Sequence, residues 1–111
     1  MSHAVSPLAP EKLPDLPAIG GVRLAAGLTG MRYKNRDDIL FFAFEPGTAV
    51  AGVFTSNKMP GMPVDWCRRH VGKGRARALV VNAGNANVFT GKAGRDACAA
   101  TAKAAAQALG S

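Results

Sequence analysis

Leu79-Val80-Val81-Asn82-Ala83-Gly84-Asn85-Ala86-Asn87, followed by Thr90-Gly91, is the stretch that decides how this chain is read. Leu79 to Val81 are apolar, and two of the three are β-branched, which suits a short strand. Asn82 ends that strand. Gly84 allows a positive φ or a close approach of backbone to another group. Asn85 and Asn87 each carry an amide that donates and accepts. A strand that ends in amides beside the start of a helix is a common place to hold a polar ligand. The plainer alternative is that the asparagines only tie the loop to its own backbone, as Asx-turns do.

Working outward, the residues from about Lys92 to Leu109 have helical propensity, with nine alanines between Ala93 and Ala108, and Gly110 is a natural stop. Cys98, Ala102, Ala105 and Leu109 recur at i, i+4, i+7 and i+11, one narrow face against a sheet. So small a stripe predicts a helix lying close to its sheet. Upstream, Val22 to Tyr33 is expected as a strand, with Val22, Leu24, Ala26 and Leu28 to one side and a bend or bulge at Gly27 and Gly30. Lys34 to Asp38 is a polar turn. Ile39 to Phe44 is a strong strand, apolar on both faces. Ala49 to Thr55 is expected to return as its antiparallel hairpin partner through Glu45-Pro46-Gly47-Thr48. Asp65 is expected to cap a short helix over about 66–71. The fold class is α/β (α+β), mostly antiparallel strands with one long Ala-rich helix.

The chain has 111 residues, enough for one domain, and at that size roughly 65% of the unfolded surface is expected to be hidden. No apolar run approaches the ~20 residues of a membrane span. Residues 1–19 contain Pro7, Pro10, Pro14 and Pro17 and no basic-then-apolar pattern, so they are expected as an extended arm, not an export signal, ahead of a body at 20–111. His3 lies in that arm. Cys67 and Cys98 are expected as free thiols, since they form no CxxC pair and no metal-ligand spacing is present. His70 would have to serve any Ser-His-Asp or Cys-His set, and no spacing supports one.

The formal net charge is +7, and Arg68, Arg69, Lys73, Arg75 and Arg77 form a basic cluster within ten residues. Such a cluster can meet phosphates. Gly72 and Gly74 interrupt it, Trp66 is the sole aromatic close by, and no recognition-helix or RNP-type pattern appears, so a solvated loop is the preferred reading over a nucleic-acid-binding module.

Four segments in order resemble one known family. Asn82-Ala83-Gly84-Asn85-Ala86-Asn87 is similar to the Asn-Ser-Gly-Asn-Ala-Asn segment of the ornithine acetyltransferase (glutamate N-acetyltransferase) family of arginine biosynthesis. Gly21-Val22 with Ala25-Ala26-Gly27 resembles its opening Gly-Val-x-x-Ala-x-Gly. Ala51-Gly52-Val53-Phe54-Thr55-x-Asn57, with Pro63-Val64 behind it, resembles its Ala-Gly-Val-Phe-Thr-x-Asn strand. Arg77 to Asn82 resembles its Arg-Ala-hydrophobic strand into Asn. The likeness runs from Gly20 to about Gly110. Ala83 stands where the family has Ser, and Val88 and Phe89 also depart from it.

The resemblance implies the N-terminal part of an α subunit in a larger layered helix/sheet sandwich of the self-cleaving acetyltransferase type. It implies acetyl transfer from N-acetyl-ornithine to glutamate, in the cytoplasm, through an acetyl-Thr intermediate, with acetyl-CoA as a further donor in some members and no cofactor. Its nucleophile is an internal Thr freed by self-cleavage, in a Lys-Gly-Thr segment with no counterpart here. The Thr-Gly pair of its oxyanion site is expected just beyond Ser111. Thr55, Thr90 and Thr101 sit in other contexts, so no catalytic residue is assigned in this chain, which is expected to be inactive alone. The expected partners are the rest of the α subunit and the β subunit bearing the Thr, in an α2β2 assembly, with no nucleic acid and no membrane. The substrate-side candidates are Asn82, Gly84, Asn85 and Asn87. An assembly-only remnant is the other reading left open.

Overall fold

Ile39-Leu40-Phe41-Phe42-Ala43-Phe44 forms the central strand of the sheet, β2 (Ile39–Phe44), in a computed structural model that describes residues 4–110. Its aromatic and branched side chains fit a pleated surface with neighbours on both sides. β1 (Val22–Gly27) pairs with it antiparallel, Leu24 opposite Phe42. β3 (Ala78–Asn82) pairs antiparallel on the other edge, Leu79 opposite Phe42 and Asn82 opposite Ile39. The order is therefore β1-β2-β3, with β1 and β3 on the outside. Between β2 and β3 the chain forms helix α1 (Met62–His70) and a 3-10 turn, Val71–Lys73. Helix α2 (Gly91–Leu109) follows β3.

Three expectations about the elements are corrected. Ala49 to Thr55 is no strand and no hairpin partner: both edges of β2 are already taken, and the segment makes a single bridge, Ala49 to Arg75. Val53, which composition placed in a strand, is 98% exposed. The first strand stops at Gly27, and residues 28–38 form a loop instead of continuing to Tyr33. The short helix starts at Met62, four residues early, with Gly61 at its N-cap and no side-chain cap; Pro63 sits in its first turn, where a missing N–H costs nothing. Asp65 lies inside that turn, favourable to the helix dipole, and Arg68, Arg69 and His70 occupy the last turn.

Helix α2 ends as expected, with the Gly110 N–H donating to the Ala106 and Gln107 carbonyls. Cys98, Ala102, Ala105 and Leu109 are all half-buried, the face the spacing indicated. The helix does not close on the sheet, however. An open groove of about 1010 Å³ lies between β3, α1 and α2, and those four residues line it. Alanine side chains are too short to fill the gap.

Packing is thin throughout. Ala43 is the one buried apolar side chain among the described residues. The chain exposes 8995 Å², against about 5800 Å² for a folded monomer of 11.5 kDa. Its unfolded form would expose about 16,700 Å², so folding hides less than half of that surface and not the two-thirds expected from length. The radius of gyration, 15.9 Å, exceeds the roughly 13 Å of a compact chain this long. Leu24, Leu79 and Val81 share one uncovered sheet face. Residues 4–19 contain no helix or strand and are exposed, Leu8, Leu13 and Leu16 among them. His3 and Ser111 lie outside the described residues. Among the described residues no helix is long and apolar enough to cross a membrane.

Candidate functional site

The loop after β3 joins four other parts of the molecule. The Ala83 N–H donates to the Asp38 carbonyl at 2.8 Å, linking the loop to the start of β2. The Gly84 carbonyl accepts from the Arg32 guanidinium at 3.3 Å. The Asn87 carbonyl accepts from the Met62 N–H at 2.8 Å, so the loop holds the first turn of α1. The Asn87 side chain reaches forward to α2: its amide donates to the Gly94 carbonyl at 2.8 Å, and its oxygen accepts from the Thr90 hydroxyl.

Gly84 has φ +118, and a Cβ there would lie 3.0 Å from the Arg32 Cβ and 3.8 Å from the Tyr33 ring. The backbone angle strains any side chain there, and Arg32 would have to give way to one. Gly94 is buried in the first turn of α2, where an added Cβ would overlap the Thr90 hydroxyl and the Asn87 amide oxygen. Phe89, one of the two departures after the loop, is the single non-glycine residue with positive φ among the described residues, at +57. That conformation costs an L-residue roughly 1–2 kcal/mol, and the ring is exposed.

The four candidates thus divide. Asn82, Asn85 and Asn87 all line the groove between β3 and the helices, with Met31 at its rim. Asn87 spends both ends of its amide on α2. Asn82 and Asn85 are exposed, and neither amide is engaged with the described residues, which leaves a donor and an acceptor on each for a polar group in the groove. Gly84 does not line the groove and acts through the shape of the loop.

Composition missed Thr29 and Asp38. Asp38 is 4% exposed, the one buried charged residue among the described residues. Its carboxylate accepts from the Thr29 N–H at 2.7 Å and from the Thr29 hydroxyl at 2.7 Å. Those two bonds, the N–H first, hold its carboxyl below the ordinary value against the opposing effect of burial. Gly94 was legible in principle: a Gly inside an alanine helix costs about 1 kcal/mol and so asks for a packing reason.

The arginines of the basic cluster are exposed, and each reaches a backbone carbonyl. Arg68 donates to the Thr55 carbonyl and pairs with Asp65. Arg69 reaches the Asp65 carbonyl, Arg75 the Gly74 carbonyl and Arg77 the Phe44 carbonyl. His70 stacks on Trp66 with ring centroids 4.2 Å apart, and its Nδ1 donates to the Trp66 carbonyl at 2.7 Å. Cys67 and Cys98 are both free thiols beside the groove; burial, then the neighbouring Cys67, pushes the Cys98 thiol up.

The sequence profile of the ArgJ family matches residues 23–111. The chain belongs to the ArgJ family. The "Arginine biosynthesis bifunctional protein ArgJ" of Bradyrhizobium diazoefficiens is 61% identical over 110 residues, covering 99% of this chain and 27% of that protein. The protein of the same name from Mesorhizobium japonicum is 57% identical over the same shares. The chain therefore spans about a quarter of the length of these ArgJ relatives. Among solved structures, an ornithine acetyltransferase from Mycobacterium tuberculosis, complexed with ornithine, superposes with a TM-score of 0.78 at 38% identity, over 82% of this chain and 48% of that one. An ArgJ protein from Bacillus halodurans superposes with a TM-score of 0.76 at 28% identity, over 81% and 47%. The α+β arrangement of antiparallel sheet and helices is thus the arrangement of this part of the ArgJ fold, and the resemblance read from the four segments holds.

Proposed function

We propose that this chain is a segment of an enzyme that moves the acetyl group of N-acetyl-ornithine to glutamate in arginine biosynthesis. The observation that carries the reading is the match to the ornithine-bound acetyltransferase over 82% of this chain. The amide C–N bond of N-acetyl-ornithine breaks and an ester to a Thr hydroxyl forms, releasing ornithine. The glutamate amine then takes the acetyl group and the Thr hydroxyl returns. Dividing one transfer into two steps through an acylated hydroxyl lowers each barrier. That Thr, freed by self-cleavage, and the donors to the oxyanion lie outside these residues.

The part played here is polar lining. Asn82 and Asn85 offer amides to the α-amino acid portion of a substrate, while Gly84 and Asn87 fix the loop that carries them. Acetyl-CoA is a second donor in this reading. The remaining α-subunit sequence and the Thr-bearing β subunit cover the open sheet face and groove in a cytoplasmic α2β2 assembly. The 8995 Å² of exposed surface supports a segment built to be covered.

The complete protein should form N-acetyl-glutamate from N-acetyl-ornithine and glutamate, with ornithine released in equal amount. Absence of both products from a cleaved, folded protein would overturn the proposal. Replacing N-acetyl-ornithine by acetyl-CoA in the same assay decides the donor range.

A further inference from the structure

Residues 28–33 lead away from β1 with no partner strand, yet they lie directly against the Asn82–Asn87 loop. One buried side chain connects the two. Asp38 takes both donors of Thr29, one on each carboxylate oxygen. Its own backbone donates to the Gly27 carbonyl at 2.9 Å and accepts from Ala83 at 2.8 Å. We infer that Asp38 is a positioning residue for the substrate-side loop, acting through Thr29 to hold Met31 and Arg32 against Gly84. The inference rests on the acetyl-transfer reading above.

The argument turns on the direction of the hydrogen bonds. An ionised carboxylate only accepts. The Thr29 hydroxyl must therefore point its hydrogen at Asp38, which leaves its oxygen to accept the Met31 N–H at 3.3 Å. That closes a tight turn and sends Met31 to the rim of the groove, where Asn82 and Asn85 also stand. The next residue, Arg32, lies over Gly84, its guanidinium on the Gly84 carbonyl. Tyr33 completes the seat, and the Arg36 guanidinium lies 3.6 Å over its ring. A side chain at Gly84 would displace this packing. An amide at position 38 would reverse the order, because its NH2 would donate to the Thr29 oxygen and compete with Met31. The carboxylate touches no part of the groove, so its effect on a substrate is transmitted entirely through these contacts.

The test uses the complete protein with Asp38→Asn, Thr29→Val and Thr29→Ser. The first readout is amide hydrogen exchange, which needs no turnover. Asp38→Asn and Thr29→Val should speed exchange at Met31 and across 82–87 by tenfold or more, with the centre of α2 unchanged. Thr29→Ser keeps the hydroxyl and should match the parent. The second readout is kinetic: Asp38→Asn should raise KM for the amino-acid substrate about tenfold with kcat within threefold. Thr29→Val should do the same more weakly. Should Asp38→Asn fail to fold, the Val and Ser pair at Thr29 gives the same contrast. Unchanged local exchange overturns the inference, as does uniform loosening of the whole protein. Looser exchange with KM unchanged in an active parent also overturns it. Variants that loosen as described, from a parent that transfers no acetyl group, overturn the acetyl-transfer reading and leave Asp38 as the positioner of the loop.

Discussion

The Asn87 side-chain amide donates to the carbonyl of Gly94, one turn inside α2, at 2.8 Å. The same amide accepts from Thr90, so residue 87 organises the start of the long helix from outside it. The Asn87 amide and Thr90 thus close over Gly94, where an added Cβ would meet both.

Gly94→Ala in the complete protein is expected to destabilise despite the better helix propensity of alanine. Propensity favours Ala by about 1 kcal/mol. The new methyl would overlap the Thr90 hydroxyl, on a short β-branched side chain that cannot swing aside. Overpacking of that kind costs about 1–3 kcal/mol, and it decides the sign. Asn87→Ala loses both bonds and should cost about 1–3 kcal/mol. Thermal melts of the two variants check both values; a Gly94→Ala variant melting above the parent would refute the packing.

Asn82→Ala and Asn85→Ala should behave differently. Their amides hold no described partner, so Tm should stay within about 1 °C of the parent, the range of neutral surface changes. At least one of them should lower kcat/KM for acetyl transfer tenfold or more. If both turn over like the parent, the loop is a connector only.

Gly84→Val should lower stability or block self-cleavage. Its φ of +118 suits no β-branched residue, and Arg32 stands 3.0 Å from the new Cβ. The strain is about 1–3 kcal/mol. The fraction of cleaved protein and its Tm are the measurements.

The acid limb of stability should depend on Asp38. The Thr29 N–H, then the Thr29 hydroxyl, hold its carboxyl below the ordinary 3.8. The unfolded chain therefore takes up this proton first as pH falls. The stabilisation is full above pH 3.8 and is lost as pH drops from there through the lowered folded value. Melts of the parent from about pH 5 downward should fall more steeply in that window than those of Asp38→Asn. Parallel curves would remove Asp38 from the account.

Much of this was legible from residues alone, and the reasons for the remainder are physical. Ile39 to Phe44, the strand into Asn82, and the helix stopping at Gly110 each carry a local signal, whether branched side chains, propensity or a cap. The pairing of β2 carries none. Ala49 to Phe54 has strand composition, but β-propensity measures the fit to a half-buried surface, and no edge of β2 was free to supply one. The asparagine loop was found because its amides and glycine are unusual together. Which amide faces the groove and which faces α2 depends on where Thr90 and Gly94 lie in space. Asp38 reads as part of a polar turn, and only the folding of Thr29 back onto its carboxylate shows it as a buried partner.

The bare outer edges of β1 and β3 bear on self-association. Two open strand edges flank an apolar face on which Leu24, Leu79 and Val81 stand exposed. Such edges recruit other strands, including those of a second copy. Produced by itself, this stretch is therefore expected to aggregate edge to edge, and a charged residue in place of Leu24 or Val81 is the change that would keep it in solution.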